Sequence, residues 1–143
     1  MKNVLTGIFL LFYASFLYAQ LTEDPPKDCR HCEAWNQPQE PYHVYGNTWY
    51  VGTAGLASIL VSTDEGLILL DGALSQSAGQ IEQNIRKLGF DPLQIKYLLN
   101  SHAHYDHAGG LNALQKLSQA QVLASADTVS YTHLTLPTMI IRC

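Results

Sequence analysis

Three of the six histidines in this chain fall within six residues, directly after an apolar segment. The segment, Ile95–Leu99, predicts a buried strand. The cluster that follows reads His102-x-His104-x-Asp106-His107. In an extended segment, side chains two positions apart point to the same side, so His102 and His104 can hold one metal ion. Asp106 and His107 are adjacent and diverge, which allows them to serve a second metal beside the first.

The donor types in this cluster favour zinc. Imidazole nitrogen is a common zinc ligand, and a carboxylate adds a hard, anionic one. The alternative is a polar loop with chance histidines, but four ligand-type side chains at these offsets make it the weaker interpretation. A metal-storage tract would be longer and more repetitive. Gly109 and Gly110 follow the cluster and would let backbone and substrate approach it closely.

The remaining pattern predicts a layered α/β domain. Tyr42–Tyr45 and Thr48–Val51 are rich in β-formers and flank a turn at Gly46-Asn47, which predicts a hairpin. Leu67–Leu70 is continuously apolar and predicts a strand buried on both faces. Further elements are strands at 57–62, 95–99 and 121–124, a helix at 77–89 that stops at Gly89, and a helix opened by Gly109-Gly110. This order, β-rich and then β–α–β–α–β, predicts helices that cover a sheet.

Composition excludes several classes of protein. The chain is 47% hydrophobic and 14% charged, which is too apolar for a disordered chain. It has 8 Lys and Arg against 12 Asp and Glu, with no basic stripe, so we predict no nucleic-acid partner. No apolar run reaches the roughly 18 residues of a membrane span.

Residues 1–19 are predicted to be a signal peptide. Lys2 supplies the positive start, an apolar run follows, and Ala19 is the small residue at the expected cleavage point. An N-terminal membrane anchor is the alternative. We therefore predict a periplasmic or secreted protein that has no membrane contact once the signal is removed. Residues 20–41 are predicted to be an extended N-terminal segment, which Trp35, Pro38 and Pro41 could pin onto the domain.

Cys29 and Cys32 form a C-x-x-C pattern within this segment. In an exported protein a local disulfide is the favoured interpretation. Half of a metal site and a pair of free thiols are the alternatives. Neither a second C-x-x-C nor a βαβ pattern surrounds the pair, so a redox motif is not favoured.

The sequence resembles the metallo-β-lactamase superfamily, and within it subclass B3. The hallmark H-x-H-x-D-H after a buried strand carries the resemblance, which extends from about Trp35 to Ser125. Other stretches that carry it are Tyr45–Gly52, Gly66–Gly72, Leu88–Phe90 and Ser101–Gly110. The resemblance implies that residues 42–126 are the N-terminal half of an αββα sandwich.

The resemblance also implies roles for individual residues. The first zinc would be bound by His102 and His104, and the second by Asp106 and His107, with two zinc ions per intact enzyme. Asp106 would also act in catalysis by orienting the attacking hydroxide. Asp71 would support the metal loop without binding metal, because a lone carboxylate after four apolar residues needs partners. An ordinary Asp-Gly turn is the alternative for Asp71.

The implied function is a zinc-dependent hydrolase that opens the β-lactam ring by attack of a metal-bound hydroxide, with β-lactams as substrates. Alternatives are another exported hydrolase of this fold, such as a lactonase, and a non-catalytic fragment. A serine β-lactamase is not favoured, because neither S-x-x-K nor G-x-S-x-G occurs. The family's remaining zinc ligands are absent, and His133 follows too soon to be one of them. We therefore predict a truncated, inactive form, in which residues 127–143 are an atypical tail translated from adapter or vector DNA.

Overall fold

The computed structural model describes residues 20–125 and 138–141, which form one mixed sheet of seven strands. The spatial order of the strands is their order along the chain. The strands are β1 Tyr42–Tyr45, β2 Thr48–Tyr50, β3 Ile59–Thr63, β4 Gly66–Leu70, β5 Ile95–Leu99, β6 Gln121–Ser125 and β7 Thr138–Ile141. Strands β1 to β4 are antiparallel, whereas β5, β6 and β7 each run parallel to the strand before them. The predicted α/β sheet is therefore confirmed.

Within the described residues four helices accompany the sheet: α1 Cys32–Trp35, α2 Ala78–Lys87, α3 Tyr105–Ala108 and α4 Leu111–Ser118. The longest two, α2 and α4, are amphipathic, and their apolar stripes enter one core with the sheet. Ile81 and Ile85 of α2 and Leu111 and Leu114 of α4 are completely buried there. A 3₁₀ turn at Ser75–Ser77 precedes α2, and Gly89 follows it at φ +86°, as predicted for a helix stop.

The sheet supplies a straight row of apolar side chains to this core. The register aligns Leu60 with Leu69, Leu69 with Leu98, and Leu98 with Val122. All four side chains are fully buried. Because α2 and α4 pack on this side, the β-strand ends and the loops beyond them are held at fixed positions.

On the opposite face of the sheet, the burial of side chains differs from the prediction for β4. Leu67 and Leu69 are buried, but Ile68 and Leu70 are only half-buried, so the prediction of a strand buried on both faces is wrong. In β5, Tyr97 is 39% exposed. The physical reason is that α2 and α4 pack on the face of Leu67 and Leu69, whereas side chains on the other face keep part of their surface exposed.

The N-terminal segment lies across the ends of the helices. Glu23 Oε1 accepts a hydrogen bond from the Gly79 amide at the start of α2 (2.9 Å). The Lys27 backbone is held on both sides by the Gln76 side chain, at 3.0 and 2.9 Å. Asp24 accepts from Asn112 Nδ2 on α4 (2.6 Å). The segment is thus attached to the domain at several points, and it contains one helical turn, α1, within the stretch predicted to be extended.

A disulfide between Cys29 and Cys32 closes the start of α1, with Cα atoms 5.1 Å apart. This is the favoured one of the three alternatives that the sequence left open. The Cys32 amide also donates to the Cys29 carbonyl (3.2 Å), so the bond clamps a turn that the backbone already forms.

Removing this disulfide is expected to cost about 2 kcal/mol of unfolding free energy or less, because the closed loop is short. The test is urea unfolding of Cys29→Ser/Cys32→Ser in a Cys143→Ser background, which prevents exchange with the third cysteine. The Cys143→Ser single variant is the control. A loss well above 2 kcal/mol would show that the bond holds more than the local turn.

Residues 1–19, 126–137 and 142–143 lie outside the described residues. The signal peptide and the origin of the tail therefore stay predictions. Among the described residues, no helix combines the length and hydropathy needed to cross a bilayer.

Candidate metal centre

The histidine cluster occupies the loop that leaves the carboxyl end of β5. His104 has extended backbone angles and directly precedes α3, whose first turn carries Asp106 and His107. His102 and His104 are exposed, whereas Asp106 and His107 are partly buried. The segment therefore presents its donors at the end of the parallel strands, where loops form clefts in α/β folds.

The four predicted ligands are brought together by this loop. The ring centroids of His102 and His104 are 4.2 Å apart, and those of His102 and His107 are 5.3 Å apart. Asp106 Oδ2 lies 3.8 Å from His107 Nε2. The three imidazoles and the carboxylate are thus neighbours in the folded loop.

Asp71 is the first residue after β4, and it contacts the histidine cluster at His107. Strands β4 and β5 are parallel neighbours, and the Asp71 amide donates to the Leu99 carbonyl (2.8 Å), which extends their pairing to the loop. The residue has φ +62° and is 7% exposed. Its carboxylate accepts hydrogen bonds from the Ser101 amide (2.8 Å), the Ser101 hydroxyl and His107 Nδ1 (2.9 Å).

The Asp71 contact determines which nitrogen of His107 is free. A carboxylate only accepts hydrogen bonds, so the ring proton of neutral His107 is on Nδ1. Nε2 is then unprotonated and directed away from Asp71, which is the form that binds metal. A carboxylate behind a ligand histidine is a recurrent support in zinc sites.

The loops after β4 and β5 are in close backbone contact, which glycine residues permit. The Gly72 amide donates to the His107 carbonyl (2.7 Å), and Ala73 forms an isolated bridge with Ala108. A Cβ on Gly110 would overlap the Gly72 carbonyl oxygen. The close approach therefore requires glycine at position 110.

Two polar residues of this loop were not singled out by sequence reasoning. Ser101 donates from both its amide and its hydroxyl to Asp71. Asn100 is 8% exposed, and its Oδ1 accepts from the His102 amide (2.8 Å). The sequence did contain a signal for both residues, because polar side chains between an apolar strand and a pair of predicted ligands are expected to have hydrogen-bond partners.

The donor types of this cluster fit zinc, but the described residues provide too few donors for a complete zinc site. Imidazole and carboxylate are side-chain types that bind zinc, and the contact with Asp71 leaves Nε2 of neutral His107 free to bind a metal. Among the residues that the structure describes, no set of three or more His, Cys, Asp or Glu side chains converges on one point as a complete metal site would. The described part of the chain therefore does not form a complete metal site by itself.

Comparison with known proteins agrees with this chemistry. The family model of the metallo-beta-lactamase superfamily matches residues 51–136, which is more than half of the chain. A crystal structure of a subclass B3 metallo-beta-lactamase from a soil metagenome library is 52% identical, with a TM-score of 0.66 over 67% of this chain and 36% of that chain.

Two curated relatives are more distant. A metal-dependent hydrolase of Rhizobium etli is 35% identical over 54% of this chain and 32% of that protein. An N-acyl homoserine lactonase of Bacillus thuringiensis is 32% identical over 38% of this chain and 31% of that protein. The chain thus spans about a third of the length of the curated relatives that it matches.

Proposed function

The chain belongs to the metallo-beta-lactamase superfamily, and we propose that its protein is a zinc-dependent hydrolase that opens the β-lactam ring of antibiotics. The observation that carries the choice of substrate is the similarity to the subclass B3 structure, since more than half of the aligned residues are identical. The curated relatives support the coarser statement, a metal-dependent hydrolase.

In this proposal His102 and His104 hold one zinc, and Asp106 and His107 hold the second. Bound zinc would lower the pKa of a water molecule to near neutral pH and would polarise the substrate carbonyl. The chain's own part is to orient the donors. Asp71 holds the His107 ring by its Nδ1–H and anchors the loop through Ser101.

Asp106 has a second role in this proposal. Its carboxylate is partly buried and lies beside His107, at the start of α3. From there it accepts a hydrogen bond from the attacking water and fixes the direction of attack. A carboxylate within hydrogen-bond reach of the nucleophile is the arrangement that general-base assistance needs.

A lactonase is the second candidate, favoured by the similarity to the Bacillus thuringiensis enzyme. Both reactions attack a carbonyl in a small ring, so the described residues serve either. Identity is lower and coverage smaller for the lactonase than for the subclass B3 structure. We therefore rank the β-lactam substrate first.

The test begins with the DNA from the codon for Leu114 onward, which defines the complete reading frame that contains this chain. The product of that frame is then assayed against a chromogenic cephalosporin and an N-acyl homoserine lactone. We expect hydrolysis of the cephalosporin that a chelator abolishes and added zinc restores. Hydrolysis of the lactone alone would replace the first proposal by the second. Hydrolysis of neither substrate, by a zinc-loaded protein, would contradict both.

Metal content is a separate measurement on the 143-residue chain itself. Catalytic zinc has three protein ligands, and the described residues offer two donors per zinc. We therefore propose that this stretch is a weak metal binder without activity of its own. Two tightly held zinc ions per purified chain would contradict that proposal.

Export is also part of the proposal. The Cys29–Cys32 disulfide supports it, because such bonds persist in oxidising compartments. N-terminal sequencing of the mature protein would test the predicted cleavage after Ala19. An intact N-terminus would favour an anchor instead.

A further inference from the structure

Asn100 connects the sheet to the first pair of predicted ligands. Its backbone amide donates to the Leu123 carbonyl in β6 (2.9 Å), which places it at the carboxyl end of β5, beside β6. Its Oδ1 accepts from the His102 amide two residues later (2.8 Å), the hydrogen bond of an Asx turn. The residue is 8% exposed. The His102 backbone is thus tied to a buried side chain that the sheet holds in place.

The other end of this side chain is unsatisfied. Asn100 Nδ2 is buried and has no hydrogen-bond partner within the part of the chain that the structure describes. An unpaired buried donor lowers stability, whereas an apolar side chain of similar volume at the same position would not. Packing alone therefore does not account for asparagine at this position, and the oxygen that meets His102 is the useful part of the amide.

A comparison with Asn84 makes the difference clear. Asn84 is also buried, but its Nδ2 donates to the carbonyls of Gln39, Val51 and Gly52, at 3.1, 3.0 and 3.2 Å. That amide joins α2 to the segments on either side of the β1–β2 hairpin. Asn84 is a structural asparagine by its contacts, and Asn100 is not.

We propose that Asn100 is a positioning residue for the metal centre. By fixing the His102 amide, Oδ1 sets the bend after β5 that brings the His102 ring to 4.2 Å from that of His104. Without this acceptor the His102 backbone is free to rotate, and the two imidazoles no longer face one ion. The inference rests on the proposed metal site and adds a residue to it.

The test uses two substitutions with opposite expected effects. Asn100→Leu removes both the acceptor and the unpaired donor. It is expected to keep or raise Tm while weakening metal binding about tenfold or more, the typical loss when a residue that orients a ligand is removed. Asn100→Asp keeps an acceptor for the His102 amide but buries a carboxylate. It is expected to lower Tm while metal affinity is retained.

Affinity is measured on the 143-residue chain by cobalt(II) titration, followed by d–d absorption, and by zinc competition with a chelator. Hydrogen exchange of the His102 amide reports the contact directly and should be fast in Asn100→Leu only. Asn84→Leu is the matched control, with a lower Tm and unchanged affinity of the folded protein.

Equal metal affinity of Asn100→Leu and the unaltered chain would overturn the inference and leave the proposed function standing. Equal losses in Asn100→Leu and Asn100→Asp would overturn it as well, because the acceptor would then not matter. If the unaltered chain shows no saturable cobalt binding, the proposal that this stretch binds metal by itself falls, and the inference falls with it, while the assay of the complete reading frame still decides the proposed function.

Discussion

Replacing Asp71 by asparagine is expected to weaken zinc binding by about ten- to a hundredfold while the chain stays folded. Asparagine tolerates the left-handed backbone at this position, where φ is +62°. It also keeps an oxygen for the Ser101 amide. However, its NH₂ group would face His107 Nδ1, which must then accept a hydrogen bond. The ring proton moves to Nε2, and a protonated Nε2 cannot bind metal.

Two measurements on Asp71→Asn separate this cause from unfolding. Chelator competition gives the zinc affinity, and ¹⁵N chemical shifts of the His107 ring give the tautomer. Asp91→Asn is the matched control, because Asp91 is exposed and caps the short turn at Pro92–Gln94. Unchanged affinity in Asp71→Asn, or a His107 ring still protonated on Nδ1, would show that Asp71 does not set the ligating form.

Replacing Gly110 by alanine is expected to lower the unfolding free energy by about 3 kcal/mol or more. The added Cβ would overlap the Gly72 carbonyl oxygen and lie 3.1 Å from that of Leu74. Backbone atoms of two loops cannot both withdraw without opening the bridge between Ala73 and Ala108. The backbone of Gly110 is itself helical, so alanine carries no conformational penalty and the whole loss is steric.

Gly89→Ala is the control for this substitution. Gly89 has φ +86°, but no atom lies within 4 Å of the point that an added Cβ would occupy. Alanine at position 89 should lower the unfolding free energy only by the penalty of a left-handed backbone, about 1–2 kcal/mol. Urea unfolding of both variants gives the comparison. A Gly110→Ala variant no less stable than Gly89→Ala would mean that the two loops are not in close contact.

Sequence periodicity predicts well those elements of the fold whose structure depends on neighbouring residues along the chain. The hairpin of β1 and β2, the amphipathic α2 and its stop at Gly89 follow from turn residues and an apolar stripe of helical spacing. Strand β3 begins two residues later than predicted, at Ile59, since the preceding residues are held by loop hydrogen bonds such as Val51 amide to Ser58 carbonyl (2.9 Å).

Burial of the sheet could not be predicted from the same pattern. A continuous apolar run such as Leu67–Leu70 predicts two covered faces, but coverage depends on what packs against the sheet, which no local pattern records. Within residues 20–125, α2 and α4 cover the face that contains Leu69, and Leu70 on the other face stays half-buried. The apolar character of that second face is the reason the run resembled a fully buried strand.

The position of the candidate site could be predicted from the sequence, but the residues that support it could not. The offsets of His102, His104, Asp106 and His107 are visible in the chain, whereas the contact between Asp71 and His107 joins residues 36 positions apart. The family resemblance indicated a supporting aspartate. The partners of that aspartate, and the turn made by Asn100, depend on parallel pairing of β4, β5 and β6, which only the folded sheet provides.

The strand order of the sheet has a consequence for how the chain acquires its structure. Each strand hydrogen-bonds to the next one along the chain, but the parallel pairs β4–β5 and β5–β6 form across connections that contain helices. Parallel pairings of this kind close long loops and form more slowly than the antiparallel pairings of β1 to β4. A nascent chain can therefore add one strand at a time to a growing sheet, and the backbone of Asn100 is held in place only when β6 pairs beside it.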